Sequence, residues 1–114
     1  MKENEIERNI RIELGRSETV RVFRNSVGQA NVNGRRISYG LLKGSSDLIG
    51  WRTVTITPDM VGQHFAQFVG VEVKTATGRL RPEQKMWIEM VNEGGGLAIV
   101  ARSPEEARSL LHQE

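Results

Sequence analysis

Residues 65–74, Phe-Ala-Gln-Phe-Val-Gly-Val-Glu-Val-Lys, are the most strand-like run in the chain and constrain its fold more than any other segment. Period-two alternation puts Val69, Val71 and Val73 on one face and Phe68, Gly70, Glu72 and Lys74 on the other. A strand of this kind needs helices or further strands to cover it. The flanking sequence offers both. Ile6, Ile10 and Leu14 recur at helical spacing, which predicts a first helix over residues 3–14, with Gly15 as its stop. Residues 19–24 (TVRVFR) alternate and are rich in β-branched and aromatic side chains, so they predict a strand. Residues 25–46 hold most of the turn signals, among them the hairpin dipeptide Asn33-Gly34. A further strand is expected from Asp47 towards Ile56, then a turn over residues 57–62. Residues 81–92 predict a helix opened by Pro82 and closed by Gly94 to Gly96. Leu97 to Ala101 is a short apolar strand. Ser103-Pro104-Glu105-Glu106 then fits a capping box, with Ser103 as N-cap of a last helix to about Leu111. The order predicts a single α/β domain over residues 1–114, a mixed β-sheet flanked by helices.

Composition narrows the chemistry. The 114 residues contain no Cys, which excludes structural disulfides, zinc ribbons and thiol catalysis. The two His, His64 and His112, are too few for a His-rich metal site. A metal is therefore expected on oxygen ligands, which favours Mg²⁺, Mn²⁺ or Ca²⁺. The net charge is +2, a slight basic balance that permits a phosphate-rich partner. The start, MKENEIERN, lacks the apolar core of a signal peptide, and no apolar run has the length of a membrane span. A soluble, cytoplasmic protein is expected.

Polar residues on apolar patterns single out the candidate site. Glu72 and Lys74 project side by side from the central strand. Taken alone, such a pair is an ordinary solvated ion pair. Glu7 lies between Ile6 and Ile10, at the edge of the face expected to be buried. Gln84 falls in register with Trp87, Ile88 and Val91. Asp47 follows Gly44-Ser45-Ser46 and precedes Leu48-Ile49-Gly50, at the entry to an apolar strand. Such an aspartate is commonly a turn or cap residue. The conjunction suggests more. An Asp and a Glu on strands can hold one hard cation, which polarises a phosphoryl oxygen and lowers the pKa of its water. Lys74 would orient or deprotonate that water and stabilise the charge that develops.

Three stretches carry a resemblance to a known family: Gly44 to Gly50, Val71-Glu72-Val73-Lys74-Thr75, and Gly78-Arg79-Leu80-Arg81-Pro82-Glu83-Gln84. With the tail from Gly94 to Ser103, they resemble the VRR-NUC (virus-type replication-repair nuclease) domain, of the PD-(D/E)xK, restriction-endonuclease-like superfamily. The resemblance covers nearly the whole chain and looks like a stand-alone, phage- or bacterium-type member. It implies a restriction-endonuclease-like core and an Mg²⁺- or Mn²⁺-dependent endodeoxyribonuclease. It assigns Asp47 and Glu72 as metal carboxylates, Val73 as a carbonyl ligand, Lys74 as the catalytic lysine and Gln84 as the family's helix glutamine. For the acid on the first helix it leaves Glu7 and Glu3, with Glu7 favoured. Ser46 replaces the Pro of the first motif, as in many members of the family. The resemblance further implies a homodimer that resolves four-way (Holliday) junctions in DNA by paired nicks, with flaps, nicks or forks as other substrates and a non-cleaving module of the same fold as the other class. Arg24, Arg35, Arg36, Lys43, Arg79 and Lys85 are the candidate phosphate contacts. The expected setting is the cytoplasm of a bacterial cell or phage-infected host.

Overall fold

The computed structural model describes residues 2–112. They form α1 (Glu3–Gly15), β1 (Val20–Arg24), β2 (Gly28–Val32), β3 (Arg35–Tyr39), β4 (Leu48–Arg52), a 3₁₀ turn (Pro58–Met60), β5 (Val69–Val73), α2 (Pro82–Glu93), β6 (Leu97–Ala101) and α3 (Pro104–Leu111). The class is mixed α/β, and the element order is the expected one. The strands pair as three two-stranded ladders: β1 with β4 and β2 with β3 antiparallel, β5 with β6 parallel. The chain divides into two compact units, residues 1–52 and 53–114.

In the first unit, Phe23 lies opposite Ile49 and Arg21 opposite Trp51. The Phe23 and Trp51 rings meet at 5.6 Å, tilted by 47°. Gly50 lies opposite Val22, and a Cβ there would come within 1.8 Å of the Arg21 carbonyl oxygen. Only glycine permits that approach. The strand ends at Arg52, earlier than the expected run towards Ile56.

Helix α1 packs on β1, but not through its isoleucines. Ile6 and Ile10 are both 44% exposed, whereas Glu7 and Leu14 are half-buried. Of the expected stripe, only Leu14 is therefore half-buried, while Ile6 and Ile10 lie outward. Gly15 is the last helical residue rather than the stop beyond it, and Arg16 forms the C-cap. The hairpin β2–β3 turns at Asn33 and Gly34, whose φ values are 51° and 77°. Two positive φ angles are what a type I′ turn demands, so the Asn-Gly reading holds.

In the second unit, β5 and β6 run parallel and α2 is the connection between them. Parallel neighbours require such a crossover. The buried residues are Val91, Ala98, Ile99 and Ala101. Phe68 and Trp87 meet edge to face at 6.3 Å. The glycine run closes α2 tightly: Gly95 has φ of 96°, and a Cβ on Gly96 would sit 2.7 Å from a Val91 methyl. The Gly96 N–H donates to the Val91 carbonyl at 2.9 Å, and the Leu97 N–H to the Phe68 carbonyl at 2.8 Å. The Asn92 amide pairs with the Ala98 backbone twice, accepting from its N–H at 2.8 Å and donating to its carbonyl at 3.2 Å.

The last helix starts as expected. Ser103 Oγ accepts the Glu106 N–H at 3.1 Å, with Pro104 at the first helical position. The reciprocal bond is displaced by one residue: Glu106 Oε1 accepts from the Arg102 N–H at 3.0 Å rather than from Ser103. Ser103→Ala should destabilise the protein by about 1 kcal/mol, the usual worth of an N-cap. Urea unfolding measures it, and an unchanged midpoint would show that α3 does not depend on this cap.

Candidate active site

Of the candidate residues, Glu7, Arg24 and Asp47 lie in the first unit and Glu72, Val73, Lys74 and Gln84 in the second. In the first unit, the end of the β1–β4 ladder gathers Glu7, Arg24 and Asp47. Arg24 is the last residue of β1 and lies opposite Leu48, the first of β4. Arg24 Nε sits 3.6 Å from Glu7 Oε1, and the Glu7 side chain is only 22% exposed. The acid on the first helix thus meets a basic residue that was expected to contact phosphate. Glu3, the other helix candidate, is exposed on the first turn of α1.

Asp47 is exposed and precedes β4. Its carbonyl accepts the Asn25 N–H at 2.8 Å. Asn25 then secures the rest of the loop. Its amide donates to Ser45 Oγ at 2.8 Å and to the Ser46 carbonyl at 2.9 Å, and its Oδ1 accepts the Leu41 N–H at 3.1 Å. Asn25 is thereby the residue that fixes the approach to Asp47. In the sequence it is one turn-former among several, and nothing in its neighbours marks it out.

In the second unit, β5 alternates as expected. Val69, Val71 and Val73 are exposed, and Gly70 and Glu72, with Lys74 just past the strand, occupy the more covered face. The strand proper covers Val69–Val73, shorter than the expected 65–74 run. A cleft of about 60 Å³ lies beside Glu72, lined by Gly70, Trp87, Ile88, Ala98 and Ile99 as well. That is room for roughly a few waters, not for a nucleotide. The backbone of Lys74 is anchored by its N–H to the Ala101 carbonyl at 3.1 Å.

Gln84 stands on the first turn of α2. Its Oε1 accepts the Arg81 N–H at 2.9 Å, and its own N–H donates to the Arg81 carbonyl at 3.0 Å. Oε1 therefore serves the helix start, and the amide NH₂ is the end with hydrogen bonds to give. The turn between Lys74 and α2 is clamped by Arg102. Its guanidinium donates to the Thr75 carbonyl and, at 2.8 Å, to the Gly78 carbonyl. Arg102 is a second positioning residue that sequence patterns do not reveal, since only the pairing of β6 with β5 brings residue 102 beside residues 75–78.

Of the other basic candidates, Arg35 and Arg36 lie on β3, Lys43 in the loop before β4, Arg79 in the turn before α2 and Lys85 on α2. All five are exposed, and none forms an ion pair among the described residues. The acidic set suits a hard cation in its chemistry. Asp47 and Glu72 offer carboxylate oxygens and Val73 a carbonyl, and neither acid is held in an ion pair among the described residues. No three or more His, Cys, Asp or Glu side chains cluster as a ready-made metal cage among the described residues.

No helix among the described residues is long and apolar enough to cross a membrane. No curated protein and no solved structure matches the chain. The family model for the VRR-NUC domain matches residues 2–105, most of the 114-residue chain. The chain therefore belongs to the VRR-NUC domain family, the virus-type replication-repair nucleases with a restriction-endonuclease-like fold.

Proposed function

We propose that this nuclease is an Mg²⁺- or Mn²⁺-dependent endodeoxyribonuclease, working in the cytoplasm as a homodimer that resolves four-way DNA junctions by paired nicks. The observation that carries the reading is the covered face of β5. There Glu72 and, just past the strand, Lys74 share a face, Trp87 and Ile88 of α2 line the cleft beside Glu72, and the first turn of the same helix carries Gln84, in a chain of a nuclease family.

In this reading Asp47, Glu72 and the Val73 carbonyl hold the ion. The bound cation supplies charge neutralisation at the scissile phosphate and a more acidic water. Lys74 orients the attacking water and stabilises the negative charge that grows on the phosphoryl oxygens. Gln84, with Oε1 held by the Arg81 N–H, directs its amide NH₂ to a phosphate or water oxygen. Glu7 sets the position of Arg24 through their ion pair, and Arg24, Arg35, Arg36, Lys43, Arg79 and Lys85 contact backbone phosphates. Phosphate contacts fix register without reading bases, which suits a substrate known by its shape. Two matched nicks in a four-way junction need two active sites, and a two-fold dimer presents them.

A panel of end-labelled four-way junction, flap, nicked, forked and plain duplex DNAs, incubated with Mg²⁺ or Mn²⁺, tests this reading. The junction should be cut fastest, by symmetric nicks. Binding to it should weaken by about 10³-fold or more between 50 and 200 mM salt if some six phosphates are contacted. Preferential cutting of flaps or nicks would replace the junction assignment, and binding without cutting of any substrate would mark a non-cleaving module.

A further inference from the structure

A cleft of about 390 Å³ opens at the base of the β2–β3 hairpin, within the size range of small-ligand sites. Its walls are apolar at Val27 and Leu41, hydrogen-bonding at Gln29 and Ser38, aromatic at Tyr39 and cationic at Lys43. Tyr39 lies opposite Gly28, and a Cβ on that glycine would run into the Tyr39 ring and hydroxyl. The ring therefore leans across the partner strand, against a backbone with no side chain between them. That contact covers only part of it. Tyr39 is still 48% exposed, at the wall of a concave site.

Two further observations indicate the occupant. From Thr19 to Ser46 the chain carries five Arg or Lys and no Asp or Glu, although it has 14 acids elsewhere. A segment charged in this way suits an anionic partner. The cleft is also tied to Asp47. Asn25 Oδ1 accepts the N–H of Leu41, a wall residue, at 3.1 Å, while the Asn25 N–H donates to the Asp47 carbonyl at 2.8 Å. One residue thus bridges the cleft wall and the proposed metal carboxylate. An aromatic surface beside a cation matches a ligand with a flat face and a negative charge next to it. A nucleotide out of its stack has both. Bases paired inside a duplex show the grooves only their edges and offer no such face.

We infer that the cleft takes one unstacked nucleobase of the DNA substrate, stacked on Tyr39 with a neighbouring phosphate at Lys43, close to the bond that is cut. This rests on the nuclease reading above, with Asp47 as a metal ligand, and adds to it the class of substrate: DNA whose branch frees a nucleotide, favoured over continuous duplex. An aromatic platform accepts any base, so the cleft selects shape rather than sequence.

The test measures binding of the full chain to labelled four-way junction, forked and plain duplex DNAs, with Ca²⁺ as the metal. A single abasic site is moved in turn through the nucleotides next to the branch. At one position it should weaken wild-type binding by about tenfold, the loss of one stacked base. Tyr39→Ala should weaken binding of the intact branched DNA by a similar factor and of plain duplex by less than about twofold. In that variant the same abasic site should cost nothing more, since the partner of the base is already gone. Tyr39→Phe, which keeps the ring, should bind as the wild type does. Circular dichroism monitors the fold, and the abasic scan of the wild-type protein decides the matter even where Tyr39→Ala does not fold. Wild-type binding indifferent to every abasic position would overturn the base site and leave the nuclease reading in place. Losses from Tyr39→Ala and the abasic site that multiply would do the same. An equal loss for branched and duplex DNA on Tyr39→Ala would also overturn it, making Tyr39 a contact to the DNA backbone. Failure to bind or cut any DNA would overturn the nuclease reading as well.

Discussion

Lys74→Ala should slow phosphodiester cleavage by about two to three orders of magnitude while leaving the protein folded. The size is that of removing one preorganised group from a developing charge. The fold should tolerate the change because the side chain forms no ion pair among the described residues and the anchor at this position is a backbone bond, from the Lys74 N–H to the Ala101 carbonyl. That bond is indifferent to the side chain. Single-turnover cleavage of a labelled junction, with circular dichroism as a control, measures both quantities. Lys74→Arg separates charge from reach: it keeps the cation but not the compact ammonium, and it should recover only a small part of the rate. A folded Lys74→Ala that cuts at the wild-type rate would reduce Lys74 to a solvated neighbour of Glu72.

Metal removal should have the larger effect. Excess EDTA should abolish cleavage, and Mg²⁺ or Mn²⁺ should restore it. Ca²⁺ should support DNA binding with little cutting, since its larger and looser shell positions water poorly. The donors proposed for the ion, Asp47, Glu72 and the Val73 carbonyl, are all oxygens in a protein without cysteine. Asp47→Asn and Glu72→Gln should each remove cutting at all metal concentrations tested while keeping junction binding, because neither acid is assigned a phosphate contact. Full activity in excess EDTA would defeat the mechanism outright.

What the sequence made legible follows from which signals are local. The α3 start at Ser103-Pro104 and the Asn33-Gly34 turn rest on groups within a few residues of each other, and both form almost as read. The alternation of β5 is equally local, so Glu72 and Lys74 share a face as expected. Helix α1 shows the limit. Spacing alone grouped Ile6 and Ile10 into a face, but only the packing on β1 decides which face is covered, and it covers Glu7 and Leu14. Asn25 and Arg102 lie at the same limit: each organises a loop that is remote in sequence, residues 41–47 and 75–78. The division into two compact units has no composition shift or linker to announce it.

The pairing of the Asn92 amide with the Ala98 backbone has a further consequence, for solubility. A terminal strand with free donors and acceptors is a template for edge-to-edge growth. The Leu97 N–H and the Ala101 carbonyl bond towards β5, so alternation turns Ala98 to the far side of β6, where Asn92 occupies both of its backbone groups. The amide imitates one rung of a neighbouring strand and then stops. An incoming chain would have to displace it before bonding to Ala98, so a single side chain obstructs edge-to-edge pairing at one rung of the most apolar strand.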